Sequence, residues 1–328
     1  LGRYLFYDGR LSGRLHKDSL MSCANCHIQK NNFEAGVNHP KSINGHPIGL
    51  TGKATPHVTM GLINLVWNFN GYGWNGFLHP SNPNPKKREL EDFVWMSVLA
   101  KHEIAGDTNK VKNILNSIPE YKDLFFKAFG SSDIKFDYVC KAIAQFIRTL
   151  ISANSKFDKY LRGEVQLSPE ELRGFVLFGT EEGADCFHCH GGGGNPLFTT
   201  NKFYNNGKDV EFTGENQDPR DRFSYTKDPM DLGAYKAPTL RNIEVCGPYM
   251  HDGRFETLER VIEFYSHEVK NSKYIDPLMH HVANQGIQLT QSEKKELISF
   301  IKTLRDDEFL NNSEHSKPQR LPGDNSGN

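Results

Sequence analysis

The chain has 328 residues and a formal net charge of −1 at pH 7, because 39 lysine and arginine side chains are balanced by 40 aspartate and glutamate side chains. This length suits two domains, and the balanced charge argues against a nucleic-acid partner or an anionic membrane surface. The sequence has no apolar run approaching the roughly 18 residues of a membrane-spanning helix, so we expect no membrane segment. It begins at Leu1 without a signal peptide, as expected of a processed form.

The first feature in chain order is the pentapeptide Cys-Ala-Asn-Cys-His at residues 23–27, and a second Cys-x-x-Cys-His stands at residues 186–190. Two thiols three residues apart can form thioether bonds to the two vinyl groups of one porphyrin, and the following histidine then presents its imidazole to the iron. A zinc site or a redox dithiol is the alternative, but a zinc site does not require a histidine after the second cysteine in both copies. The sequence therefore predicts two covalently bound c-type haems, attached through Cys23, Cys26 and His27 and through Cys186, Cys189 and His190.

Residues 134–150 carry apolar side chains at helical spacing and include Cys140. This pattern favours a helix in which Cys140 is a small, buried apolar side chain. A disulfide between Cys140 and Cys246 is the alternative outside the cytoplasm, although the sequence does not place their thiols within bonding distance. Because c-type haem is attached on the outer side of the bacterial inner membrane, we expect a periplasmic or otherwise exported protein.

Two later segments carry helix-start signals. Residues 168–171, Ser-Pro-Glu-Glu, form a capping box with proline at the first helical position, which predicts a helix that runs towards Phe178. Residues 290–293, Thr-Gln-Ser-Glu, form another capping box, followed by apolar side chains at helical spacing up to Leu304. Strand-like alternation is scarce, so the chain is expected to be mainly α-helical.

Long connections separate the predicted helices. Residues 39–56, 71–85 and 191–235 are rich in glycine, proline and asparagine. Connections of this length are unusual in a compact domain unless they wrap a cofactor, and haem supplies that reason. The wide separation of the two motifs predicts one haem per domain. After about residue 310 the sequence becomes polar, and we expect this tail to fray.

Three further segments carry a resemblance to a known family. They are LGRYLFYD at residues 1–8, APTLRN at residues 237–242 and PYMHDGRFETL at residues 248–258. Together with the two haem motifs in the same order, these segments resemble the bacterial di-haem cytochrome c peroxidase and MauG superfamily. The resemblance extends over roughly residues 1–305.

The resemblance implies two cytochrome c-like domains, each of which encloses one covalently bound haem. Residues 1–155 are expected to form the N-terminal domain, with a peroxide-reactive haem. Residues 156–310 are expected to form the C-terminal domain, with an electron-transfer haem. Residues 311–328 are expected to form a polar tail.

The activity that the resemblance implies is the reduction of hydrogen peroxide. Electrons from a small cytochrome c or a cupredoxin are expected to pass from the C-terminal haem to the N-terminal haem. A MauG-like oxidase of a partner protein and a non-catalytic di-haem electron-transfer protein are the alternatives. Phe93 and Ser97 suggest the second alternative, because they stand where family members carry glutamine and proline. A homodimer is compatible with the resemblance.

Tyr265 matches the position of the sixth ligand of the C-terminal haem iron. MauG-like family members carry tyrosine at this position and the peroxidases carry methionine, while Met250 and His251 are rival ligands in this chain. Tyr265 also shares a helical face with apolar side chains of residues 258–262, so a core tyrosine with a hydrogen-bonded hydroxyl is the alternative.

Three more residues acquire expected roles from the resemblance. Glu103 matches the family's catalytic glutamate, which can take a proton from one peroxide oxygen and return it to the other. A solvated surface glutamate is the alternative. Trp74 resembles the tryptophan that family members place in the electron path between the haems. Arg241 is expected to bind haem, since arginines should partly offset the charge of the propionates.

A calcium ion is a further feature of the family. It is bound by an asparagine side chain and two backbone carbonyls, and oxygen ligands of this kind suit calcium. The matching residues are Asn64, Cys246 and Pro248. Cys246 replaces a threonine of the family, a change that need not abolish a carbonyl ligand.

Overall fold

The computed structural model describes residues 1–76, 89–212, 218 and 221–324. The backbone divides into two units. The first comprises Leu1–Val66, Lys86–Ile151 and Leu310–Asn328, and the second comprises Trp67–Pro85 and Ser152–Phe309. Each unit therefore contains one of the two Cys-x-x-Cys-His motifs.

Helices dominate the regular structure, which confirms the predicted mainly helical architecture. Within the described residues, strands occur only as two short antiparallel pairs, β1 (Ser42–Ile43) with β2 (His46–Pro47) and β3 (Phe203–Tyr204) with β4 (Tyr235–Lys236). In the described part of the chain, every helix falls short of the length and hydropathy that crossing a bilayer requires.

The helices described in the first unit are α1 (Gly2–Tyr7), α2 (Leu90–Leu99), α3 (Thr108–Asn116), α4 (Pro119–Phe129) and α5 (Phe136–Arg148). Helix α4 begins with Pro119 at its first position and ends at Gly130, whose φ of 70° favours glycine. Helix α1 packs against α5 so closely that a Cβ atom on Gly2 would collide with the backbone oxygen of Ala142.

Helix α5 is the core of the first unit. It buries Val139, Cys140, Ile143 and Ile147 on its packed side. The sequence predicted this helix and the burial of Cys140, and the structure confirms both. Cys140 and Cys246 are both described, and no disulfide joins them. The Cys246 thiol instead donates to the carbonyl oxygen of Asn242, at 3.3 Å.

The helices described in the second unit are shorter on average. They are α6 (Lys156–Leu161), α7 (Pro169–Phe178), α8 (Phe187–His190), α9 (Phe223–Thr226), α10 (Leu258–Glu263), α11 (Gln291–Lys302) and α12 (Asp307–Leu310), and a π-helical turn, Phe264–Glu268, directly continues α10. Burial of aromatic rings stabilises this unit. Its fully buried rings are Phe157, Phe178, Phe198 and Phe300.

Both predicted capping boxes are confirmed. The Ser168 side chain accepts a hydrogen bond from the N–H of Glu171 at the start of α7. Thr290 does the same for Glu293 at the start of α11. The two helices pack closely, because a Cβ atom on Gly174 of α7 would collide with the backbone of α11.

The predicted long connections contain little regular structure. Residues 39–56 carry the β1–β2 pair, an isolated bridge between Ile48 and Ala54, and turns. The described part of 191–235 carries two-residue strands and single helical turns. The prediction for 71–85 lies partly outside the described residues. The helices therefore supply most of the regular structure that positions the two motifs.

The tail beyond residue 310 differs from the expected fraying. Tyr7 Oη donates to the carbonyl oxygen of His315 at 2.8 Å, and Gln29 Nε2 donates to that of Asn312 at 2.8 Å. Arg10 Nη2 donates to the carbonyl oxygen of Pro322 at 2.7 Å. The expectation of fraying is wrong for residues 311–324. Side chains of the first unit bind main-chain carbonyl oxygens of the tail, and these are present whatever side chains the tail carries.

Candidate functional site

The second Cys-x-x-Cys-His motif lies in the wall of a cavity of about 200 Å³ in the second unit. Helix α8 carries Cys189 and His190, and Cys186 immediately precedes it. All three side chains line the cavity. Much of the remaining wall is apolar and includes Leu240, Ile243, Leu258, Val261, Ile262 and Ile301. An apolar cavity with two thiols and an imidazole on one wall fits a covalently bound porphyrin.

The imidazole of His190 is held in the form that can bind a metal. Its Nδ1 donates to the carbonyl oxygen of Pro238 at 3.0 Å, so Nε2 keeps a lone pair. Burial lowers the pKa of His190 to about 4, which keeps the ring neutral near pH 7. Because a neutral imidazole is the ligand form of histidine, this geometry fits the predicted proximal ligand.

Tyr265 lines the same cavity as His190 and lies in the π-helical turn Phe264–Glu268. Asn206 Nδ2 donates to its hydroxyl oxygen at 2.9 Å and lies 3.7 Å from the sulfur of Met250. Burial raises the pKa of Tyr265, and the Asn206 hydrogen bond acts in the opposite direction. Both the iron-ligand interpretation and the core-tyrosine interpretation fit this position.

The two rival ligands also line the cavity. Met250 shares the Asn206 amide with Tyr265, as described above. His251 is buried and stacks on Tyr235, with 3.4 Å between the ring centroids. The choice of Tyr265 over these two residues as the sixth ligand stays a prediction.

Trp74 belongs to the second unit and also lines the cavity. Its ring lies edge-on to that of His251, with 6.4 Å between the centroids. Its carbonyl oxygen accepts a hydrogen bond from the Lys236 N–H at 2.8 Å. Trp74 therefore places an oxidisable aromatic ring in the wall of the cavity that contains the second motif. Its role in electron transfer stays a prediction.

The first motif begins in a 3₁₀ turn, Cys23–Asn25. His27 Nδ1 donates to the carbonyl oxygen of Phe33 at 2.6 Å, so its Nε2 also keeps a lone pair. Burial lowers the pKa of His27, and the hydrogen bond to Phe33 opposes this shift in part. In both motifs, therefore, Nδ1 of the histidine donates a hydrogen bond and Nε2 keeps its lone pair.

Glu103 lies close enough to the first motif to act on it electrostatically. Burial raises the pKa of Cys23 and of Cys26 to about 12, and the negative charge of Glu103 adds to both shifts. Glu103 is half-buried, and its carbonyl oxygen accepts a hydrogen bond from the Leu50 N–H at 2.8 Å. The Glu103 carboxylate also lies 3.5 Å from His102 Nε2. Its catalytic role at the first motif stays a prediction.

Arg241 is fully buried and forms a two-point ion pair with Asp158. Its Nη1 and Nη2 lie 2.8 and 2.6 Å from the two carboxylate oxygens. Its Nε donates to the carbonyl oxygen of Pro196. These bonds give Arg241 a structural role in the second unit, and its predicted haem contact stays a prediction.

The predicted calcium ligands belong to different units. Asn64 lies in the first unit, where its N–H donates to the carbonyl oxygen of Leu150 at 2.9 Å. Cys246 and Pro248 lie in the second unit. Joint binding of calcium by the three residues stays a prediction.

Sequence reasoning missed several polar residues of the cavity wall, among them Asn206 and Lys236. Lys236 is buried and donates to the carbonyl oxygens of Asn70 and Asn201, at 3.2 and 3.1 Å. Burial lowers the pKa of Lys236 to about 7, with a contribution from the nearby Arg222. Asn206 lies in a long connection and Lys236 in the two-residue strand β4. Neither belongs to a periodic pattern, so the sequence held no signal for them.

The family model described as di-haem cytochrome c peroxidase matches residues 1–166, which is about half of the chain. The chain belongs to this family. Its membership confirms the resemblance seen in the sequence and the expectation of a peroxidase-type oxidoreductase. The family is one of di-haem proteins, in agreement with the two motifs.

Relatives of this di-haem family member include peroxidases and MauG proteins. The cytochrome c551 peroxidase of Nitrosomonas europaea is 30% identical, over 94% of this chain and 80% of its own length. The methylamine utilization protein MauG of Methylorubrum extorquens is 29% identical, over 93% of this chain and 77% of its own length. The crystal structure of a MauG-like protein associated with microbial copper homeostasis is 32% identical and superposes with a TM-score of 0.82, covering 97% of this chain and 92% of that one.

The haem count of the protein gives a direct test of the second motif. Replacing both Cys186 and Cys189 by alanine removes the two thiols that line the cavity, so mass spectrometry of the denatured protein should find one covalent haem instead of two. Cys140→Ala removes a buried thiol outside both motifs and should leave two haems. Two covalent haems in the double variant would refute the assignment.

Proposed function

We propose that the protein is a di-haem c-type peroxidase that reduces hydrogen peroxide with electrons passed from the C-terminal haem to the N-terminal haem. The observation that carries this proposal is the position of Glu103, whose charge acts on Cys23, Cys26 and His27. A carboxylate beside the first motif supplies the proton-transfer group that peroxide reduction needs.

The residues of the first unit have separate roles in this proposal. Cys23 and Cys26 would hold the haem covalently, and His27, oriented by the Phe33 carbonyl, would bind its iron. Haem supplies an iron that exchanges electrons one at a time. Glu103 takes a proton from one oxygen of hydrogen peroxide and returns it to the other. Two electrons and two protons convert each peroxide molecule into two water molecules.

The residues of the second unit deliver the electrons. Cys186 and Cys189 would hold the second haem covalently, and His190 and Tyr265 would bind its iron. Trp74 serves as the aromatic relay at the wall of this cavity. A small cytochrome c or a cupredoxin in the periplasm is the electron donor. Arg241 supports the haem environment, and one calcium ion is a further proposed cofactor.

A MauG-like oxidase of a partner protein is the second candidate. The observation that favours it is the Tyr265 hydroxyl in the same cavity as His190. A phenolate ligand donates charge to iron and favours its oxidised states, which suits the oxidation of protein side chains. The similarity to a MauG-like crystal structure supports this candidate. All three tryptophans lie in the N-terminal half of the sequence, but Trp67 and Trp74 belong to the second unit, so their sequence positions do not count against this candidate.

Rapid mixing of the di-haem protein with hydrogen peroxide tests the proposal. A peroxidase changes its haem spectrum quickly and then oxidises a reduced small cytochrome or cupredoxin, with two electrons consumed per peroxide. A MauG-like oxidase also responds to peroxide but leaves the small donor reduced. An unchanged haem spectrum would contradict both candidates and favour a non-catalytic electron-transfer protein.

Tyr265→Phe tests the proposed axial ligand. The change removes only the hydroxyl, so the fold should hold while the absorption spectrum and the reduction potential of one ferric haem shift. Tyr204→Phe is the matched control, because Tyr204 lines the same cavity and its hydroxyl bonds to Thr200 Oγ1 at 2.8 Å. If Tyr265→Phe leaves both properties unchanged, Tyr265 is a core residue and Met250 or His251 becomes the ligand to test.

A further inference from the structure

We propose that Glu181, His188 and His280 form a binding site for a divalent transition-metal ion of the zinc or copper type. Each of the three offers one ligand atom, and these atoms all lie within 4.8 Å of one another. All three residues belong to the second unit. None of the three residues is a proposed ligand of a haem iron or of calcium, although His280 also lines the cavity of the second motif.

One pair of the ligand atoms is already spaced more like two ligands of one ion than like a hydrogen bond. His188 Nε2 lies 3.6 Å from Glu181 Oε1, which is beyond hydrogen-bond range. Ligands about 2.0–2.1 Å from a tetrahedral zinc ion lie about 3.3 Å from one another. A shift of a few tenths of an ångström therefore brings these two atoms to ligand spacing.

Asp185 orients His188 and lies beside His280. Its Oδ1 lies 2.5 Å from His188 Nδ1, so Nε2 of His188 is left to bind the ion. Its Oδ2 lies 3.5 Å from Nδ1 of His280. The Asp185 side chain is only 6% exposed and is therefore well fixed. A carboxylate behind a histidine ligand is the usual arrangement around protein-bound metals.

His280 is held beside the other two ligands although it lies more than 90 residues further along the chain. Glu181 follows α7, His188 lies in α8, and His280 belongs to a later connection. His281 Nε2 donates to the carbonyl oxygen of Glu181 at 3.1 Å, which ties the later connection to the first ligand. The rings of His188 and His280 meet edge to face, with 5.1 Å between their centroids.

The chemistry of the ligand set decides the class of ion. Two imidazoles and one carboxylate suit zinc or copper, whereas calcium and magnesium prefer oxygen ligands throughout. The side chains of Glu181 and His280 are 61% and 41% exposed, so an ion can reach the site from solvent. A water molecule can then complete a four-coordinate shell.

Zinc binding to the di-haem protein tests the site. Crystals soaked in zinc chloride, with diffraction data collected at the zinc absorption edge, should show an anomalous peak between Glu181, His188 and His280. In calorimetric titration with zinc chloride, His280→Gln and Glu181→Gln should each weaken binding at this site at least tenfold. Asp185→Asn should weaken it about 10–100-fold, the usual effect of removing an outer partner of a histidine ligand.

His16→Gln is the matched control, because His16 is an exposed histidine 3.5 Å from the Asp18 carboxylate. It should bind zinc as tightly as the wild type. An unchanged haem absorption spectrum in each variant shows that the fold is intact. The proposal is overturned if no zinc peak lies at the three residues, or if folded His280→Gln binds zinc as tightly as the wild type. An equal loss of affinity in His16→Gln would equally overturn it, since binding would then belong to surface histidines in general.

Discussion

Glu103→Gln is expected to slow the reaction of the protein with hydrogen peroxide by about 10²–10⁴-fold, the usual contribution of general acid–base catalysis. Glutamine keeps the size and shape of the side chain but cannot accept a proton. The backbone of Glu103 is fixed by hydrogen bonds with Ala100 and Leu50, so the exchange should leave the local fold in place. Stopped-flow absorbance of the haems after mixing with peroxide measures the rate.

Two further variants separate proton transfer from other effects of the change. Glu103→Asp keeps a carboxylate on a shorter side chain and should retain part of the rate. Glu120→Gln removes an exposed carboxylate of the same unit, 2.9 Å from Arg320, and should react like the wild type. Equal rates for Glu103→Gln and the wild type would mean that Glu103 is a surface residue. The electron-transfer interpretation would then gain support.

Features that depend on residues close in sequence were predictable. The capping boxes at Ser168 and Thr290 start helices where expected, because a cap and its partner are three residues apart. The burial of Cys140 follows from the spacing of its apolar neighbours. The haem motifs are also local, since five consecutive residues carry the attachment chemistry.

Features that depend on distant residues were not predictable. Helical spacing put Tyr265 on the same face as residues 258–262, and these side chains do line one cavity. The π-helical turn that contains Tyr265, and the Asn206 amide on its hydroxyl, have no counterpart in the periodic pattern. The cluster of Glu181, His188 and His280 brings together residues about a hundred positions apart, which only the folded chain reveals.

The pairing of Arg241 with Asp158 is another such long-range feature, and it connects the start of α6 to the segment that was expected to bind haem. Asp158 also accepts hydrogen bonds from the N–H and the hydroxyl of Ser155, at 2.8 and 2.7 Å. Burial alone would raise the pKa of Asp158. The hydrogen bonds and charge of Arg241, together with Ser155, outweigh burial and hold this pKa below its ordinary value.

Asp158→Asn is expected to lower the free energy of unfolding by about 3–5 kcal/mol, because it leaves the buried guanidinium of Arg241 without its counter-charge. Asparagine keeps the shape and an acceptor for Ser155. The double variant with Arg241→Met should lose less than the sum of the two single changes, since neither charge then stays buried alone. Glu164→Gln, in an exposed pair with Arg162, should unfold like the wild type.

The difference in the free energy of unfolding between the wild type and Asp158→Asn depends on pH with a definite sign. A carboxyl group whose pKa is lower in the folded state stabilises the fold fully above its unfolded pKa, about 3.9 for aspartate. The stabilisation is lost as the pH falls through the lower, folded value. The gap between the wild type and Asp158→Asn, measured by urea unfolding followed by circular dichroism, should therefore be constant near neutral pH and shrink below about pH 4. A gap that is absent at pH 7, or that grows in acid, would show that the ion pair does not stabilise the second unit.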